Sequence, residues 1–407
     1  MNVNQLELPS AHLLSERQDF SLVMGGPLFQ LLFRAHLVGD AMTLVTRRIV
    51  AFGLITWVPL LIFSTLDRHL FNGSVAVPFI TDLETHIRFL VVVPLLLVAE
   101  LSVNRRLRSV ARTFLQRNLI PEDAMKRFDG AVHAAHRLRN SASGEVLLLA
   151  FVYAVGVFIV WRHYTILHAS TWYATSSVTG PKLSRAGMWY AYVSLPIFQF
   201  LFVRWYFRMF IWMRFLWQVS RIRLALVPAH PDQVGGLGFL AHTAYAFSVL
   251  LSAHGAMAAG GIADRIFFAG AALTDFKVEI AVMVLFLMCL VFGPLLVFSP
   301  QIAMAKRKGL NEYGALAERY IRDFDGKWLR GGGAGSEPLL GSANVQSLAD
   351  SLIVARSFSV VRSMLPAPIT RDAILRLAAA VLVPLIPLLL TVMSPEELAR
   401  RLLRLMF

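Results

Sequence analysis

The chain is poor in charge, poorer still in acid, and almost without cysteine. Charged residues are 16% of its 407 positions, where an ordinary soluble domain carries about 25%. Hydrophobic residues make up 57%, and the imbalance runs the whole length of the chain. That excludes a soluble enzyme held by a single anchor. Acidic residues number 25 against 39 Lys and Arg, so the net charge is +14 and the isoelectric point is near 10.5. The lone Cys289 excludes an internal disulfide and a thiolate cluster, and it says nothing about redox compartment. The first 20 residues have no short apolar core of the kind a cleavable signal peptide needs. The first apolar run is therefore expected to start membrane insertion itself.

Long apolar runs are present instead. About 20 helical residues cross a hydrocarbon core of about 30 Å. Six stretches reach or approach that length: Ile49–Leu66, Phe89–Val103, Val146–Trp161, Met188–Val203, Phe239–Ile262 and Ile280–Ser299. A seventh, Leu377–Met393, is short and contains Pro384 and Pro387. These are spans one to seven. Span two is short, and reaches full length if Arg88 snorkels. The expected fold is all-α: a polytopic transmembrane bundle of about seven spans with a small helical cytoplasmic region.

Loop charge orients this layout. Twenty-nine of the 39 Lys and Arg residues fall before span one and in the loops two–three, four–five and six–seven, and ten fall on the opposite side. The positive-inside rule then puts the N-terminus in the cytoplasm. Seven crossings put the C-terminus outside, together with Arg400, Arg401 and Arg404. If the last segment turns back, that tail is inside. The basic charge is read as arginines facing the bilayer and its anionic lipid headgroups on the cytoplasmic side, not as a nucleic-acid surface.

The organisation expected is a cytoplasmic segment 1–48 with an interfacial amphipathic helix, a six-span bundle 49–299, a cytoplasmic region 300–376 and a C-terminal hydrophobic segment 377–407. Residues 104–144 form a basic hairpin broken at Asn118–Pro121. Within 300–376, one helix is expected from Asn311 to Trp328, a flexible linker at Gly331–Gly335, and a second helix from Val345 to Val361. No internal repeat is visible.

Five features carry candidate chemistry. His230-Pro-Asp232-Gln-Val-Gly235-Gly236-Leu-Gly238 precedes span five. Its glycines admit close backbone approach, and His230 with Asp232 could bind a cation or pass a proton. The same residues also make a tight loop in which Asp232 caps a helix start. His242 and His254 follow on span five, twelve residues apart, too far to share a metal. His254 is the deeper and the better pathway candidate. Its small neighbours from Ser252 to Gly261 serve close packing or leave room for a permeating species. Arg204 and Arg208 share a face after span four, among aromatics that resemble an interfacial belt. Glu100 lies near them in depth and is expected to pair with one of the two. Glu279, with Asp264, could give the outer mouth a negative rim. Asp129, His133 and His136 fall on one helix face at metal-capable spacing, but without a zinc-protease glutamate. No metal, cofactor or catalytic residue is assigned.

The segments HPDQVGGLGFL (230–240) and SFSVVRSMLPAPITRDAILRLAAAVLVPLIPLLLTVM (357–393) resemble stretches that recur in multi-span bacterial inner-membrane proteins of no assigned function. The resemblance covers the second half of the chain. It implies a bacterial inner-membrane home and brings no catalytic residue with it.

The leading functional expectation is a channel or transporter for a small ion or solute, with a path between spans four, five and six. His254 would sit within it and the 230–238 loop at its cytoplasmic mouth. The first alternative is a scaffold acting through the cytoplasmic helices of 311–361. The second is a lipid-acting enzyme that uses His230 and Asp232 as acid and base. The small-residue face of span five also admits a homo-oligomer.

Overall fold

A computed structural model describes residues 20–23, 25–27, 43–71, 75–166, 171–175, 182–326, 330 and 344–391. Among them, six helices are long and apolar enough to cross a membrane: Val45–Leu66, Leu83–Gln116, Arg185–Ser220, Phe239–Ala269, Leu273–Asp323 and Arg371–Thr391. They contain spans one, two, four, five, six and seven. Span three lies in a further apolar helix, Ala142–Ile166. The only sheet among the described residues is the two-residue pair Ala174–Thr175 with Lys182–Leu183. The chain is an all-α, multi-pass membrane protein. Large apolar side chains such as Leu147, Val278 and Leu285 are turned outward, which water would penalise and lipid accepts.

Span two is not short and Arg88 does not snorkel. The helix runs from Leu83 to Gln116, and Arg88 stays buried within it. Its guanidinium bonds Glu84 and the Tyr190 hydroxyl, and lies over the Phe198 ring. Spans two and four share a local device. Each has a wide π-turn, Arg88–Val92 or Tyr190–Ser194, just before a proline, Pro94 or Pro196. Proline lacks an N–H and crowds the preceding turn, and the wider turn lets the helix continue through it. In span seven the prolines fall instead in a tighter stretch: Arg371–Leu382 passes into a 3-10 helix, Val383–Thr391.

Span five is the axis of the bundle, and its small residues divide by face. A Cβ on Gly255 would run into the Val381 carbonyl of span seven. One on Gly260 would sit 3.2 Å from the Glu84 Cα at the head of span two. These two glycines serve helix packing.

The basic hairpin has its expected break. Span two ends at Gln116, Asn118 turns at φ 51°, and a second helix runs Met125–Arg139. That helix packs against span four, with Phe128 beside Phe215. The helix expected from Asn311 begins at Ser299, as a continuation of span six, and ends at Phe324. The second helix expected in this region is Asn344–Arg362 and packs against it. The Gly331–Gly335 linker and the tail beyond Thr391 lie outside the described residues.

Of the segment 18–46, expected to hold an interfacial helix, residues 20–23, 25–27 and 43–46 are described, and Phe20–Val23 is buried against the bundle. Phe20 is wholly buried and stacks on Phe215 at 4.4 Å. The Ser21 hydroxyl donates to Asn104 of span two (2.6 Å), and Arg139 donates to the Ser21 carbonyl (2.6 Å). A phenylalanine gains more from a closed aromatic slot than from the headgroup layer. Residues 28–42 lie outside the described residues.

Candidate functional site

Helix arithmetic organises the site. Each residue turns a helix by about 100°, so Arg204 and Arg208 share one face of span four and Tyr206 faces nearly the opposite way. One level of span four therefore carries two different constellations.

The first is a buried ion network tying together spans one to four. Arg48 begins span one, Glu100 lies in the inner half of span two, and Glu145 stands in the first turn of span three. Glu100 accepts from Arg208 at 2.7 Å and from Arg48 at 3.2 Å, and lies 3.6 Å from Arg204. Arg204 also donates to Glu145 at 3.2 Å. All five side chains are buried. Arg208 additionally covers the Trp205 ring, whose indole N–H donates to the Leu96 carbonyl of span two. Glu100 thus meets both expected arginines at once. Burial of charge is tolerable only when each group is paired, and among the described residues each of the three guanidiniums has a carboxylate within 4 Å.

The second constellation faces spans five and six. His254 Nδ1 lies 2.8 Å from the Leu250 carbonyl and Nε2 lies 2.9 Å from the Tyr206 hydroxyl. A carbonyl can only accept, so Nδ1 carries the proton and Nε2 accepts from Tyr206. The Phe202 ring closes on the imidazole with centroids 4.7 Å apart. Above this pair opens a cavity of about 390 Å³. Met257, Met283, Phe286 and Leu287 line its sides, with Ala258 and Gly261 of span five. Glu84, Arg265 and Glu279 stand at the end nearer the Lys- and Arg-poor loops. Arg265 and Glu279 pair at 3.3 Å, eleven residues along span five from His254, or about 16 Å. Asp264 is not part of that rim. Its carboxylate accepts the Leu83 and Glu84 amides at 3.1 and 3.2 Å, capping the head of span two.

The 230–238 loop stands elsewhere. Asp232 Oδ1 accepts the amides of Val234 and Gly236, both at 3.0 Å, and Oδ2 accepts that of Gly238 at 2.8 Å. His230 Nδ1 is 2.9 Å from Oδ1. Gly235 and Gly236 sit at φ 71° and 101°, which side chains disfavour. Arg117 of the hairpin donates to the Gly236 carbonyl (2.8 Å), and the Leu365 amide donates to that of Gln233 (2.9 Å). The loop is a clasp joining the hairpin, the start of span five and the approach to span seven. Burial alone would raise the Asp232 pKa. The three amides and His230 outweigh it and hold it below the ordinary carboxylate value. None of the loop's residues lines the cavity. His242 is exposed at the inner end of span five, its ring beside Tyr245, and does not approach His254.

His136 turns into the protein rather than toward a metal. Its ring faces Phe20 at 6.0 Å, and burial, then Arg139 and His133, push its pKa down to about 4. Among the described residues no three His, Cys, Asp or Glu side chains are grouped to hold a metal.

Arg48, Glu145, Tyr206 and Arg265 are the participants that sequence reasoning missed. The signal for Glu145 was present: it is an acid abutting an apolar run on the basic side of the bundle. Tyr206 was hidden among the surrounding belt aromatics. No family model, curated protein or solved structure matches the chain.

Proposed function

We propose that the chain is a transporter or channel for a small ion or solute in a bacterial inner membrane, with its N-terminus and basic loops in the cytoplasm. The observation that carries this reading is the cavity between spans four, five and six, which ends on the Tyr206–His254 pair. Its volume suits a small ligand. Its inner limit is a polar pair in an apolar setting, as expected along a translocation path. The buried ion network beside it holds spans one to four at one level, a fixed frame against which spans five to seven could shift. The 230–238 clasp takes no direct part in this path. The orientation rests on loop charge.

Flux into proteoliposomes holding the purified chain, under K⁺, Na⁺, Cl⁻ and H⁺ gradients, tests it. The expected result is selective flux that falls at least tenfold in His254→Ala and in Tyr206→Phe. No flux across the panel, from protein with an unchanged melting profile, would sink ion transport.

A second reading is a scaffold acting through the paired cytoplasmic helices. Ile321 and Ile353 are large apolar side chains exposed on them, which favours a docking partner. Unchanged partner capture after Ile321→Lys and Ile353→Lys would remove it.

A further inference from the structure

On the basic face of the bundle, a cleft of about 910 Å³ separates the end of span four and its following loop from the inner continuation of span six. We propose that this cleft binds one anionic phospholipid, its phosphate held by Arg221, Arg223 and Lys308 and its chains lying along spans four and six. The site is independent of the transport reading.

Two ridges argue for a lipid rather than a soluble anion. On span four, Phe210, Met213, Trp217 and Arg221 recur at helical spacing on one face. The first three are 45%, 44% and 46% exposed. On the helix continuing span six, Pro300, Met304 and Lys308 recur every four residues, and Met304 is 62% exposed. Each ridge carries outward apolar side chains and ends in a cation, with Arg214 also exposed within the span-four ridge. A free phosphate would use the cations and leave the apolar side chains bare; a phospholipid uses both.

The cleft is preformed. Gln301 clamps the loop to the helix: its side-chain carbonyl accepts the Leu224 amide at 3.1 Å, and its amide donates to the Ser220 and Ile222 carbonyls. Arg221 lies over the Trp217 ring at 5.1 Å, so the indole positions the guanidinium where acyl chain gives way to headgroup. Glu312 is the one acid among the described lining residues, 3.7 Å from Lys308. The lining therefore carries three cations to one anion, which suits a singly charged phosphodiester.

Native mass spectrometry of the full chain, titrated with phosphatidylglycerol, phosphatidylcholine and inorganic phosphate, tests this. One phosphatidylglycerol should bind at least tenfold more tightly than phosphatidylcholine. Each basic side chain near a membrane surface is worth roughly a fivefold change in affinity, so Arg221→Gln/Arg223→Gln/Lys308→Gln should weaken it by about a hundredfold. Trp217→Ala should also weaken it, with the charge untouched. Equal retention by wild type and triple variant, both with unchanged melting profiles, would overturn the site. Inorganic phosphate competing at low millimolar concentration would assign the cations to a soluble anion and overturn the lipid.

Discussion

Glu100 is the residue on which the inner half of the bundle depends. It faces Arg48, Arg204 and Arg208, and among the described residues it is the carboxylate that meets all three. Glu100→Gln would remove the anion these three guanidiniums share. Losing one partner of a buried ion pair costs about 3–5 kcal/mol. The expected outcome is a large fall in the detergent melting temperature, larger than for Arg208→Met, which leaves Glu100 with Arg48 and Arg204; equal losses would show that the network does not share charge in this way. The pairing of Glu100 was legible because both partners could be placed at one depth by counting from span ends. The remaining members were not. Arg48 and Glu145 stand at the edges of their apolar runs, where hydropathy reads a boundary and gives no direction to the side chain. Tyr206 could be separated from its aromatic neighbours only by knowing that its face meets span five.

Helices and loops were legible to different degrees. Six spans were readable as apolar runs, and the third run lies in a further apolar helix, but the true ends were not readable, because spans two, four and six continue as helix to Gln116, Ser220 and Asp323. The glycines of span five show the limit most sharply. Composition marked them as small, yet only the neighbouring backbones separate packing from lining. Gly255→Val should destabilise by about 1–3 kcal/mol through overpacking against span seven. Gly261→Ala, whose Cβ would meet nothing within 4 Å, should leave the melt unchanged. Equal melts for the two variants would contradict the packing assigned here. At the hairpin, the signs of two shifts predict acid sensitivity. His136 is held neutral down to about 4, against about 6.5 when unfolded. Docking of Phe20–Val23 is then undiminished above about pH 6.5 and weakens as pH falls from there toward 4. Asp232 is shifted below its ordinary value, so its clasp keeps full strength above about pH 4 and loses it only in stronger acid. Hydrogen exchange across this range should show amides of 20–23 losing protection before those of 234–238; simultaneous loss would refute the ordering.

At the scale of the whole molecule, the arrangement predicts which surfaces share a side of the membrane. In a Cys289→Ser background, single cysteines at Asn118 and Arg307 should react with an impermeant thiol reagent from one face. Cysteines at Arg185 and Gly270 should react from the other. All four positions are exposed. Labelling of Arg185 and Arg307 from the same face would break the span order. Labelling of intact cells or inverted vesicles also reads the orientation that loop charge proposes.

The slot that holds Phe20 has a consequence in time. Its walls are His136, Trp212 and Phe215, and the last of these is made 195 residues after Phe20. At about 5–20 residues per second, the leading segment waits tens of seconds for its slot, while the first three spans enter the bilayer and leave Arg48, Glu100 and Glu145 without the arginines of span four. Synthesis of span four therefore completes two structures together: the ion network closes and the N-terminal segment locks beneath it. A chain stopped before residue 204 should expose its first 27 residues to protease, and one stopped after residue 220 should shield Phe20–Val23.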